Sequence, residues 1–167
     1  MNRTSAITSI ASPLGRLELE ADAVHLLSVR IAPDELRPRG EIETNHPILS
    51  EASAQLLRWF AGTQHAFDLP LRPLGSPEGA RLRAAINAIP YGETRTYSSL
   101  GNACGTAARA VGQACKTNVY PIIIPCHRVT SATGPEFYSG GEGPRTKTWL
   151  LDFEYANLPE SKRTRLL

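Results

Sequence analysis

Ten residues near the middle of the chain decide its layout. Asp68-Leu69-Pro70-Leu71-Arg72-Pro73-Leu74-Gly75-Ser76-Pro77 carries three prolines and a glycine. Proline has no N–H to give and a fixed φ, so neither a helix interior nor a central strand runs through such a stretch. It predicts a boundary, with one domain over residues 1–74 and a second over 75–167. The two sides also differ in pattern. Short polar–apolar alternations dominate before it and helical spacing after it. The expected fold class is α+β: a small N-terminal α/β domain, made of an antiparallel sheet plus a helix, then a mainly helical C-terminal domain.

Before the boundary, Ile7-Thr8-Ser9-Ile10-Ala11 and Arg16-Leu17-Glu18-Leu19-Glu20 alternate as half-buried strands do. Ser12-Pro13-Leu14-Gly15 between them is turn chemistry. Residues 25–31 give a third strand, and residues 32–44, with Pro33, Pro38 and Gly40, a loop. Residues 49–61 predict a helix capped by Ser50, with Ala52, Leu56, Leu57 and Phe60 on one face and Gly62 as its stop.

After the boundary, a helix is expected over 78–89, ended by Pro90-Tyr91-Gly92. Tyr97-Ser98-Ser99-Leu100 opens a second helix, and residues 106–116 form a third, with Gly105 before it. Two short helices around a glycine turn fit a helix-turn-helix. A plain helical hairpin inside a core fits them too. Residues 120–124 are strongly apolar and predict a buried strand, followed at once by Pro125-Cys126-His127-Arg128-Val129. A last helix is expected over 147–155.

With 41% hydrophobic and 20% charged residues, the composition is that of a globular protein. No apolar run reaches the length of about 20 residues that spans a bilayer. No signal-like core opens the chain, so an intracellular, cytoplasmic protein is expected. Three cysteines (Cys104, Cys115, Cys126), no C-x-x-C pair and four scattered histidines argue against a disulfide framework and against a metal site. The net charge of +2 gives little evidence for a nucleic-acid partner, but its distribution gives more: residues 94–135 hold no Asp or Glu while containing Arg95, Arg109, Lys116 and Arg128.

A thiol becomes a useful nucleophile only when ionised, and a neighbouring histidine can take its proton while a carboxylate orients that histidine. Cys126 and His127 are adjacent, and Glu154 on the last helix is a candidate for the carboxylate. Neighbours in a strand face opposite ways, so the pair needs a turn or a bridging water to communicate. The plainer alternative is that Cys126 is a small buried hydrophobe. Cys104 and Cys115, among Ala and Gly, read as packing residues.

These residues resemble the O6-alkylguanine-DNA alkyltransferase family, the methylated-DNA–protein-cysteine methyltransferases. Pro125-Cys126-His127-Arg128-Val129 looks like its active-site motif. Ile89-Pro90-Tyr91-Gly92-Glu93-Thr94 with Tyr97 resembles the approach to its helix-turn-helix, and Ala107-Ala108-Arg109-Ala110-Val111-Gly112 its recognition helix. Asn118 stands at its hinge asparagine. Tyr138-Ser139-Gly140-Gly141, Lys147, Leu150-Leu151 and Glu154 match the segment after the cysteine, and Ser12-Pro13-Leu14-Gly15 its first hairpin.

The resemblance implies direct reversal of DNA damage. O6-alkylguanine is flipped out of double-stranded DNA, and its alkyl group moves once and irreversibly to Cys126. It implies a C-terminal domain that holds the helix-turn-helix and this cysteine, no cofactor, and a protein acting as a monomer. Cys126, His127, Glu154, Tyr97 and Asn118 would be catalytic. Arg109 would enter the base stack, and Tyr97, Ala107, Ala108, Gly112 and Arg128 would meet DNA. Val129, Tyr138, Ser139 and Gly140 would form the base pocket. The alternative within the same fold is a non-enzymatic protein that binds the lesion and flags it; a retained Cys126 argues against that. A transcription regulator and a Cys-His hydrolase are further readings, the first opposed by an Ala-rich recognition helix and the second by the lack of an oxyanion-hole motif.

The sequence departs from the family pattern in places. Glu78, Leu82 and Arg83 replace aromatics at the start of the helix before Ile89. The turn over 101–106 is about two residues short and lacks a proline, and Val119 replaces a proline. Residues 130–137 are shortened, and the loop after Gly141 is lengthened by Glu142 and Pro144.

Overall fold

The computed structural model describes residues 4–32, 42–132 and 138–163. The chain folds as two compact units, one running to Gly75 and taking in Val119–Ile123, the other formed by Ser76–Asn118 and the chain from Ile124 onward.

The first unit is a three-stranded antiparallel sheet in the order β1(Ala6–Ser12), β2(Gly15–Ala21), β3(Leu26–Ala32), with α1(Pro47–Phe60) packed on it. The period-two pattern of β2 sends Leu17, Leu19 and Ala21 inward, all fully buried. Glu18 points the other way and pairs with Arg30 at 3.1 Å across the β2–β3 ladder. The first hairpin turns on Gly15 (φ +94°), while the Ser12 hydroxyl accepts from Leu14 N and donates to Gly15 O. Helix α1 buries Leu49, Ala52, Leu56 and Trp59, a stripe at helical spacing. Its cap differs from the expected Ser50. The helix begins at Pro47, whose missing N–H costs nothing at a first position, and the His46 side chain accepts from Leu49 N. The loop expected over 32–44 falls largely on residues 33–41, outside the described residues.

The segment over 120–124 is buried as expected, but it is a tight turn and not a strand. Ile122 takes a positive φ of +74°, a conformation that β-branched residues strongly disfavour. The segment is bonded within the first unit: Val29 N donates to Val119 O, the Tyr120 hydroxyl donates to Leu26 O, and Arg72 N donates to that hydroxyl.

The second unit is mainly helical, with α2(Pro77–Asn87), α3(Tyr97–Cys104), α4(Ala108–Lys116) and α5(Pro144–Ala156). Ser76 caps α2, and Thr96 caps α3 by accepting from Ser99 N. The α3–α4 turn is compact. Gly105 adopts the left-handed conformation (φ +67°), and a Cβ at Gly101 would meet Thr106 O at 2.8 Å. The Thr106 hydroxyl donates to Glu78 at the start of α2, so a residue that departs from the family pattern steadies this turn. Helix α4 starts two residues later than expected, and its N-cap, Ala107, makes no side-chain capping bond. A two-residue parallel pair, β4(Arg95–Thr96) with β5(Val129–Thr130), ties the entry of α3 to the chain after the cysteine. The shortening expected over 130–137 falls partly on residues 133–137, outside the described residues. No helix among the described residues is long and apolar enough to cross a membrane.

Candidate active site

Residues Cys126–Arg128 form one turn of 3-10 helix directly after the buried turn. Successive side chains on such a turn point about 120° apart, which separates the roles of three consecutive residues. Cys126 lines a cavity of about 770 Å³. His127 and Arg128 are instead buried against α5.

Behind the cysteine lies a cluster of ionisable groups out of contact with water. Glu154 is fully buried on the inner side of α5. Its carboxylate meets His127 Nε2 at 2.6 Å and accepts from Arg128 Nε at 2.8 Å, and it also accepts from the backbone N–H of Gly92. Arg128 donates further to Ile89 O and lies over the Tyr91 ring. Burial alone would raise the Glu154 carboxyl, but the hydrogen bonds and charges of His127 and Arg128 outweigh it and hold the carboxyl at about 2. Burial lowers the His127 imidazole, against the pull of Glu154, so the ring is neutral at rest. With Nε2 committed to Glu154, Nδ1 is the ring atom that can take a proton.

The Cys126 sulfur is held from the other side. Asn118, just beyond the C-terminus of α4, donates from Nδ2 to Ile124 O at 3.0 Å and to Cys126 Sγ at 3.2 Å. Burial pushes the thiol up, while the Asn118 bond and the charge of Lys147 draw it back. Lys147, itself buried, donates to Val129 O, reaches the Tyr97 hydroxyl at 3.5 Å and sits 5.6 Å from the centre of that ring. Burial pushes the Tyr97 phenol up to about 12, so it is a proton donor at neutral pH.

The cavity wall brings together Tyr97, Ala108, Arg109, Gly112, Tyr138, Ser139 and Cys126 from the residues singled out in the sequence, and adds Cys115, Lys116 and Pro144. Val129 and Gly140 are not part of it: Val129 is fully buried, and a Cβ on Gly140 would meet the Tyr138 ring at 2.9 Å. Ala107 is exposed at the mouth of α4. Arg128 requires a correction. Expected to face DNA, it is 5% exposed and its guanidinium is spent on Glu154 and Ile89, so its charge serves the interior. Sequence reasoning gave Lys147 no role and read Cys115 as packing. Helical spacing held the clue to Cys115, because 108, 112 and 115 fall on one face of α4.

Comparison with known proteins places this arrangement. Residues 79–156 match the family model described as 6-O-methylguanine DNA methyltransferase, DNA binding domain, and residues 6–73 match that of the same enzyme's ribonuclease-like domain. The constitutive methylated-DNA–protein-cysteine methyltransferase of Bacillus subtilis (strain 168) is 34% identical over 160 residues, 92% of this chain and 97% of the relative. The DNA base-flipping protein of Thermus thermophilus is 38% identical over 150 residues, 88% of this chain and 98% of the relative. A solved structure of Mycobacterium tuberculosis OGT in complex with DNA matches at a TM-score of 0.77 and 35% identity, covering 92% of this chain and 95% of that one.

Proposed function

Since the chain belongs to the 6-O-methylguanine DNA methyltransferase family, we propose that it repairs double-stranded DNA by moving the alkyl group of O6-alkylguanine onto Cys126, once per molecule. The observation that carries this reading is the cysteine itself. Its sulfur borders a cavity of about 770 Å³ and is held by Asn118, and the residue directly precedes the His127 and Arg128 of a buried His–Glu–Arg cluster.

The reaction follows from these groups. At rest the thiol is protonated, since burial outweighs its two stabilising partners. A flipped guanine fills the cavity, and the thiol proton passes through a water to Nδ1 of the neutral His127. The imidazolium is stabilised by Glu154, whose own ionisation Arg128 secures. The thiolate attacks the alkyl carbon in line. A carbon–sulfur bond forms, the carbon–O6 bond breaks, and its electron pair returns to the guanine, which takes a proton from Tyr97. A thioether has no easy hydrolytic exit, so each molecule acts once. Tyr138 and Ser139 line that end of the pocket.

On the DNA side, α4 presents a face of small residues. Ala107, Ala108 and Gly112 let a groove wall come close, and exposed Arg109 fills the gap in the stack. Gly112 supports this directly. It sits inside a helix, where glycine is unfavourable, yet a Cβ there would meet no atom of the described residues within 4 Å. Nothing among the described residues asks for that glycine. An outside surface approaching closely does. We assign catalysis and DNA contact to residues 75–167, and we take the protein to act as a cytoplasmic monomer without a cofactor.

The test is intact-mass spectrometry after incubation with a duplex containing one O6-methylguanine. One methyl on Cys126 per molecule, absent in Cys126→Ala, is expected. Tight lesion binding with no mass gain would mean that the protein flags the lesion without repairing it.

A further inference from the structure

The second thiol of the cavity has no part in the reaction above. Cys115 and Cys126 are both free cysteines, both are buried, and both line the same cavity. The third, Cys104, is not part of that wall. Asn118 joins the two segments: its side chain touches Cys126 Sγ, and its own N–H bonds to the backbone carbonyl of Cys115 at 3.2 Å. Both residues therefore border the space that a group carried by Cys126 would occupy. Resting on the alkyl transfer proposed above, we propose that Cys115 is a second acceptor in this cavity, which closes a two-carbon thioether bridge to Cys126 when the transferred group is a 2-haloethyl.

The chemistry balances in two steps. Transfer from O6 leaves Cys126 carrying a 2-haloethyl thioether. Its sulfur then displaces the halide, which leaves with the bonding pair, and a three-membered sulfonium ring forms. The Cys115 sulfur attacks a ring carbon. That carbon's bond to the sulfonium breaks, the pair returns to the Cys126 sulfur, and the Cys115 proton is released to solvent. The electrostatics favour the second step. Cys115 is normally unreactive, pushed up to about 12 first by burial and then by negative charge on Cys126. A sulfonium on Cys126 reverses the sign of that neighbour and eases loss of the Cys115 proton. Burial of both sulfurs also limits water, the competing nucleophile. Lys147, the nearby amine, is engaged with Val129 O and the Tyr97 hydroxyl. The outcome is containment: a fragment able to tether protein to DNA is consumed at both ends inside the protein.

The experiment uses the full chain and a duplex freshly treated with a 2-chloroethylating agent and freed of it, beside an O6-methylguanine duplex. The expected dominant product has gained an ethylene unit less two hydrogens and has lost the halogen. Digestion should release the peptides bearing Cys115 and Cys126 as one species that resists thiol reductants. Cys115→Ser should lose the bridge and Cys104→Ser should keep it. A hydroxyethyl group on Cys126 with Cys115 still open to alkylation would overturn the inference, as would a bridge to Lys147 or to DNA. Should Cys115→Ser fail to fold, the peptide map of the unaltered chain decides alone. If the methyl group also fails to reach Cys126, the alkyl-transfer reading itself has failed.

Discussion

Gly112→Ala separates what the fold wants from what the DNA wants. Gly112 lies within α4, and an added Cβ meets nothing among the described residues within 4 Å. Alanine at such a position is favoured over glycine by about 0.5–1 kcal/mol, because it restricts the unfolded chain and suits the helix. In a chain of this size, 1 kcal/mol moves the melting temperature by roughly 2–4 °C. Urea unfolding should show a higher midpoint at an unchanged slope. Duplex binding should go the other way. A methyl placed on the face that meets a groove wall should weaken binding at least about tenfold, equivalent to about 1.4 kcal/mol. Fluorescence anisotropy with a labelled duplex at fixed salt measures it, the salt being fixed because phosphate contacts depend on it. A variant that is more stable and binds as before refutes the placement of DNA on this face. A destabilised variant refutes the claim that the space around Gly112 is open.

Glu154→Gln should abolish alkyl transfer and cost about 3–5 kcal/mol in urea unfolding, because Arg128 is left as a buried charge without its partner. Stability should fall with pH in two stages, followed by circular dichroism. His127 is lowered on folding, so its contribution begins to be lost as pH drops below about 6.5, where only the unfolded chain takes the proton. Glu154 is also lowered on folding, so its contribution is full above the unfolded carboxyl value of 4.5 and disappears as pH falls towards about 2. Stability that is flat from pH 7 to pH 3 would contradict both placements. At Ile122, glycine should be better tolerated than alanine by about 1 kcal/mol in chemical denaturation, the reverse of the usual order, because only glycine relieves a positive φ. Tyr120→Phe should lose about 1–2 kcal/mol of stability, since Leu26 O loses the shorter of its two donors and Arg72 N loses the hydroxyl as an acceptor, and should keep alkyl transfer.

The parts of the molecule legible in the sequence are those governed by local pattern. Alternation in Arg16–Glu20 announced β2, and helical spacing announced α1 and the helices of the second unit, because one face of each is buried and periodicity records that face. The Pro-Cys-His-Arg-Val run announced the site. The rest depends on contacts distant in sequence. An arginine beside a Cys-His pair reads as a surface cation, because arginine is rarely buried without a partner. Its partner, Glu154, lies 26 residues away, and nothing local signals the pairing. The apolar run over 120–124 reads as a buried strand because its pattern records burial alone, and the turn that forms instead shows only in the conformation of Ile122. The β4–β5 pair is two residues long on each side, too short for any alternation to register.

Five residues, Val119–Ile123, belong to the first unit although the chain on either side of them belongs to the second. The residues at the two ends of this excursion, Asn118 and Ile124, are joined by a hydrogen bond of 3.0 Å, and the same amide grips the reactive sulfur. The nucleophile is thus set at the neck of a loop whose body is stitched into the other half of the molecule. A cut at the proline joint would look harmless in the primary structure, yet it would orphan Tyr120 from the carbonyl it serves on β3. The halves are interlaced along the chain rather than strung in series, and shortening the gene at that joint would leave a fragment with its reactive centre on a loosened hem.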